Sequence, residues 1–129
     1  MKLYEREHGQ AIVEMALVIP LFFLLFFAVI EMGRVGFAYV SVSNAARTGV
    51  RVASTGGTDL DIQNNVLTAA PSLNTSELTL QITPTEGNRQ SGQSVDVSIT
   101  YPVHLILPVI SDVLPNPFIV SSHLSMRME

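Results

Sequence analysis

The chain predicts an α+β fold: a long N-terminal transmembrane helix continues into a small head, where an antiparallel sheet of about three strands packs on the helix. Three observations carry this. Met15 to Ile30 is a charge-free apolar run, and Ala11 to Ile30 is interrupted only by Glu14. As a helix that stretch would measure roughly 30 Å, the thickness of a bilayer's hydrocarbon core. Apolar residues then recur at three- and four-residue steps as far as Ala53, the period of an amphipathic helix. After Pro71 the period changes to two in three separate stretches, which is the mark of strands with one covered face.

The composition agrees with an anchor plus one small domain. Of 129 residues, 47% are hydrophobic and 14% charged, against roughly 25% charged in a typical soluble domain. Much of the excess is local to the first thirty residues. With no cysteine, disulfides, Cys-based zinc sites and a lipid-attachment cysteine are excluded. The net charge is −4, Lys2 is the only lysine, and Arg6, Arg34, Arg47, Arg51, Arg89 and Arg127 are scattered. No basic patch can be built from them, so nucleic acid is not an expected partner. The apolar run exceeds the usual core of a secretory signal, roughly 7–15 residues, and no small-x-small site follows it. Ala28-Val29-Ile30 before Glu31 is a poor cleavage site, so the segment reads as retained.

Taken in order, the first element is one continuous helix from about Ala11 to Ala53, roughly 65 Å long. Its first half is apolar all round, with Pro20 inside it as an expected bend. Its second half carries Val35, Ala38, Tyr39, Val42, Ala45, Ala46, Gly49, Val50 and Ala53 on one side. Arg34, Ser41, Asn44, Arg47, Thr48 and Arg51 fall largely on the other, as suits a helix leaving a bilayer for a domain. Ser54 to Thr58, with Gly56 and Gly57, ends it. Asp59 to Ala70 reads as a short second helix with Thr58 as N-cap and Pro71 as its stop. Strands follow on Leu78, Leu80 and Ile82, on Val95, Val97, Ile99 and Tyr101, and on Val120, Leu124, Met126 and Met128. Glu86 to Gln93 makes the first two strands a hairpin with an exposed polar loop. Leu105 to Phe118, with three prolines and several bulky apolar residues, is a long crossover with room for a helical turn.

Glu14 is the anomaly. A carboxylate just inside a membrane-spanning stretch costs on the order of 2.5–3.5 kcal/mol. One reading has it reach headgroup water at the interface. The other has it neutralised by a partner charge, and Gly9, five residues earlier, supplies a route to one.

Gly9-Gln10-Ala11-Ile12-Val13-Glu14 ahead of an apolar helix resembles the type IV prepilin cleavage site. Gly9 to Ala53 is similar more closely to the TadE-like family of tight-adherence pilus systems, whose members are pseudopilins or minor pilins. Leu17-Val18-Ile19-Pro20, Glu31-Met32-Gly33-Arg34 and Asn44 to Arg51 carry the likeness, with Val97 to Pro102 and Met126 to Glu129 resembling the family's C-terminal sheet. Met15 stands where the family usually places an aromatic. The resemblance implies residues 1–9 as a prepilin-type leader, 10–54 as a transmembrane and stalk helix, and 55–129 as an extracytoplasmic α+β head. It implies a prepilin peptidase cutting after Gly9, so that Gln10 becomes the new amino terminus and Glu14 an assembly contact. Implied partners are the lipid bilayer, the peptidase, other pilins or pseudopilins and the pilus assembly platform. The implied location is the bacterial cytoplasmic membrane, crossed once. An unprocessed single-pass adaptor whose head binds a partner of the machine is the alternative.

Two further features have two readings each. Glu31 and Arg34, three apart on a helix, form either a local ion pair worth tenths of a kcal/mol or a partner contact. The small-sided stripe of Ala45, Ala46 and Gly49 either packs on the protein's own sheet or offers a seam to a neighbouring helix. Enzyme readings find little. His8, His104 and His123 lie in different regions with no second ligand at metal spacing, and no nucleophile motif surrounds a serine. Asp59 and Asp61 read as first-turn helix acids, and Asn74-Thr75-Ser76 is a short chance-level glycosylation match. Neither enzymatic activity nor a cofactor or metal is expected.

Overall fold

The computed structural model describes the backbone of residues 2–129 and the side chains of residues 9–129. Helix α1 spans Lys2–Ser54 and runs unbroken through Pro20. Then come α2 (Asp59–Ala69), β1 (Thr79–Thr83), β2 (Ser94–Val103), the single turn α3 (Pro108–Ser111) and β3 (Phe118–Arg127). The three strands form one antiparallel sheet in the order β1-β2-β3, with Ile82 opposite Val97 and Val97 opposite Leu124. The fold is therefore the α+β arrangement of a long apolar helix and a small three-stranded head.

The second half of α1 is the spine of the core. Ala38, Val42, Ala45, Ala46, Val50 and Ala53 are buried against Val95, Val97, Ile99 and Val120 of the sheet and Ile62 and Val66 of α2. Alternation holds on all three strands, with Thr79, Gln81, Thr83, Ser121, His123 and Ser125 exposed. Met126 departs from it: it lies opposite Val95 yet stays exposed, whereas Val120 on the same face of β3 is buried.

Chain reversal at the end of α1 follows from Gly56. Its φ of +83° is a left-handed conformation that L side chains rarely adopt. The Gly57 N–H then donates to Val52 O (3.0 Å) and the Gly56 N–H to Ala53 O (3.1 Å), a Schellman closure of the last helical carbonyls.

Thr58 caps α2 as expected and does so reciprocally. The Asp61 N–H donates to Thr58 Oγ1 (3.1 Å), while the Thr58 N–H and hydroxyl donate to Asp61 Oδ2 (3.1 and 2.7 Å). The Thr58 hydroxyl, and after it the Thr58 N–H, hold the Asp61 carboxyl below its ordinary value of 3.8. A carboxyl lowered in the folded state adds stability above its unfolded pKa and loses it as pH falls through the folded one. Thr58→Ala is therefore expected to lower head stability at neutral pH, through loss of the N-cap acceptor and of the bonds to the Asp61 carboxylate. In urea titrations its gap to wild type should narrow below pH 3.8; a gap independent of pH would refute the reciprocal cap.

The hairpin loop between β1 and β2 is polar and, as expected, exposed at every residue from Glu86 to Gln93 but one. The exception is Arg89, which turns inward from it. Its guanidinium donates to Gly57 O (2.8 Å) and Pro84 O (3.0 Å) and pairs with Asp59, and burial lowers its pKa. Glu86 accepts from the Asp59 N–H (3.2 Å). The loop is thus pinned to the start of α2 by charge-assisted bonds, whose partners are mostly backbone atoms.

Candidate functional site

Every residue from Gly9 to Phe27 is exposed, and none of the apolar window of the helix is buried among the described residues. Among the described residues, α1 alone is long and apolar enough to cross a membrane. An apolar surface of this size on all sides of a helix calls for a bilayer, and the helix serves as the membrane anchor.

At its beginning stand the three residues singled out by spacing. Gly9 has open space around its Cα. The Gln10 side-chain amide donates to Glu14 Oε1 (3.0 Å) across one helical turn, so the carboxylate shares its face of the helix with residue 10. The rest of the expected leader lies outside the described side chains. A carboxylate held at the rim of an apolar cylinder can do little chemistry alone. It can accept a hydrogen bond or pair with a cation brought alongside by another molecule.

At the other end of the apolar run, Glu31 is only 4% exposed. It does form the local pair with Arg34, whose Nη1 lies 3.0 Å from Oε2. It also does something that helix spacing could not reveal: Oε1 accepts the Ile106 N–H at 2.7 Å. Arg34 donates in turn to His104 O (3.4 Å). The pair is therefore a clasp between α1 and the β2–β3 crossover, and its carboxylate is fully engaged within the chain.

The small-residue stripe faces inward. Ala45 and Ala46 are fully buried, and a Cβ placed on Gly49 would lie 2.7 Å from Val66 Cγ2 and 3.3 Å from Val97 Cγ1. These three residues let α2 and the sheet approach α1, and within this chain they leave no seam for a neighbouring helix. Nearer the apolar run, α1 leaves Met32, Phe37, Tyr39 and Val40 exposed, so Tyr39 departs from the packed side expected of it.

The two histidines among the described side chains are not brought together. His104 is exposed and 3.5 Å from Glu77, and His123 is exposed on β3; His8 lies outside the described side chains. Asp59 and Asp61 both serve the α2 N-terminus. Sequence reasoning missed Arg89 and the Glu31–Ile106 bond, since most of their partners are backbone groups, which leave no mark in side-chain patterning, and Asp59 is thirty residues from Arg89.

Residues 9–51 match the family described as TadE-like protein. No curated protein and no solved structure matches the chain. The matched span starts at Gly9, includes Glu14, Glu31 and Arg34, and ends in the helical stripe that the head packs on.

Proposed function

We propose, on the premise of a TadE-like segment over residues 9–51, that the protein is a pseudopilin or minor pilin of tight-adherence pilus assembly. It sits in the bacterial cytoplasmic membrane through a single crossing, with its head on the outer side. A prepilin peptidase cuts after Gly9, and the new Gln10 amino group and Glu14 carboxylate serve assembly. It works by packing against other pilins and the assembly platform and catalyses nothing.

The observation that carries this reading is the pairing of Gly9 and Glu14 at the entrance to an exposed apolar helix within the TadE-like span. Cleavage would place an ammonium on the Gln10 backbone nitrogen, which now lies within α1, four residues before Glu14. An ammonium of one subunit and a carboxylate of the next relieve each other's burial in low dielectric. The charge that makes Glu14 costly in an isolated chain then sets the register between neighbours.

Intact mass of the membrane-extracted protein tests the first step. In cells with an active peptidase, wild type is expected to lack residues 1–9 and Gly9→Ala to retain them. Equal, uncut masses for both would defeat the processing claim and leave the unprocessed adaptor as the working description.

A further inference from the structure

The crossover between β2 and β3 is closed at its base and apolar at its tip. The Asn116 side chain bridges both backbone atoms of Leu105: the Leu105 N–H donates to Asn116 Oδ1 (3.0 Å), and Asn116 Nδ2 donates to Leu105 O (3.3 Å). Between these ends, Ile106 is 72% and Val113 81% exposed, with Val109 and Leu114 also turned outward. Leu105 to Phe118 contains one charged residue, Asp112. The outer face of the sheet carries mostly Thr, Gln, Ser and His, with Ile119 as an exposed apolar residue at the end next to the crossover. Single exposed apolar residues need no explanation, but a loop that gathers four of them does.

Its place in the molecule supplies one. The Ile106 N–H is bonded to Glu31, the first residue after the apolar run, and Leu105, Ile110, Leu114 and Phe118 enclose an apolar cleft of about 110 Å³ against Met32 and Val35. The loop therefore stands beside α1 where the helix leaves the hydrocarbon. Continuity with the spanning segment favours lipid over protein as its cover, because the loop is tethered at the bilayer whether or not another chain is present.

We propose that the β2–β3 crossover rests on the membrane that α1 spans and inserts Ile106, Val109, Val113 and Leu114 into its headgroup region, seating the head on the bilayer. The inference rests on α1 as a membrane-spanning helix. Side chains of this kind settle about 5–10 Å deep, at the boundary of headgroups and acyl chains. Glu31, turned to the loop's backbone, makes no demand on that lipid. The loop thus acts as a second foothold, limiting tilt of the head about the anchor.

The absence of cysteine makes the test direct. An environment-sensitive fluorophore is attached to the full-length variants Val113→Cys, Leu21→Cys and Ser91→Cys in phosphatidylcholine vesicles. The lipids carry a nitroxide either near the headgroup end or at the middle of an acyl chain. The probe at position 113 is expected to shift to the blue and to lose emission with the shallow nitroxide. At position 21 the deep nitroxide should quench, and at position 91 neither should. As a dye-free check, alkylation of Val113→Cys by a membrane-impermeant maleimide should be slower in vesicles than that of Ser91→Cys.

If position 113 behaves like position 91 while position 21 is quenched, the loop does not touch lipid and the span stands. No quenching at position 21 would remove the span and the seat together. Shielding of position 113 that vanishes on dilution to one chain per vesicle would assign the patch to another protein chain and overturn the proposal.

Discussion

Gly49→Leu is expected to unfold the head while leaving the apolar half of α1 inserted. Gly49 sits where three buried side chains converge, with Val66, Val97 and Ile62 methyls 2.7, 3.3 and 3.6 Å from the position of a Cβ. All three are fully buried and β-branched, so they have few rotamers into which to retreat. Overpacking of this kind costs about 1–3 kcal/mol for modest insertions, and leucine adds three carbons beyond the one that already clashes. A loss above about 3 kcal/mol is a large share of a small domain's stability. Gly49→Ala should be milder, because about 1 kcal/mol of helix propensity offsets part of the clash. Adding Val66→Ala to Gly49→Ala should restore part of what the clash removes. Limited proteolysis of the head, with alkaline extraction to check insertion, reads both quantities. Wild-type protease resistance in Gly49→Leu would disprove the close approach.

Glu14→Ala is expected to insert and be cut but to be missing from sheared pili. In the proposed assembly the carboxylate is one half of a buried pair, and removing one partner strands the other at a cost of about 3–5 kcal/mol. Glu14→Gln separates charge from hydrogen bonding. It retains an acceptor for a donor at residue 10, as in the bond now made by Gln10, but cannot neutralise an ammonium. It should therefore fail almost as completely as alanine. The measurement is the ratio of variant to major pilin in sheared fractions, with processed mass confirmed in the membrane fraction. Normal incorporation of Glu14→Ala would mean that the carboxylate only reaches headgroup water.

What the sequence could disclose depended on whether the partner of a residue is a side chain or a backbone atom. The stripe from Ala38 to Ala53, the alternation on β1 and β2 and the Thr58–Asp61 cap were legible because each leaves a periodic or local mark. The destination of Ala45, Ala46 and Gly49 was open, since a helical stripe gives the face to be buried and not what buries it. Only the packing of α2 and the sheet against them decides it. Arg89 and Glu31 were legible as charges and illegible as clasps. Arg89 ties down Gly57 and Pro84 through their carbonyls, and Glu31 holds the Ile106 N–H. Met126 shows the converse limit: period two assigns a face and not how much of that face is covered, for Val120 on the same side of β3 is buried and Met126 is not.

The Ser54 carbonyl, at the end of α1, accepts the N–H of Glu129, and β3 closes the sheet beside it. Ser54 and Glu129 are thus neighbours in space although far apart in the order of synthesis. The stripe on α1 is made before β2 and β3, the strands that cover it. Contacts between such distant segments form slowly, because a long stretch of chain must be ordered before they are gained. The stripe on α1 therefore stays uncovered behind its anchor until β3 has been made and has found it.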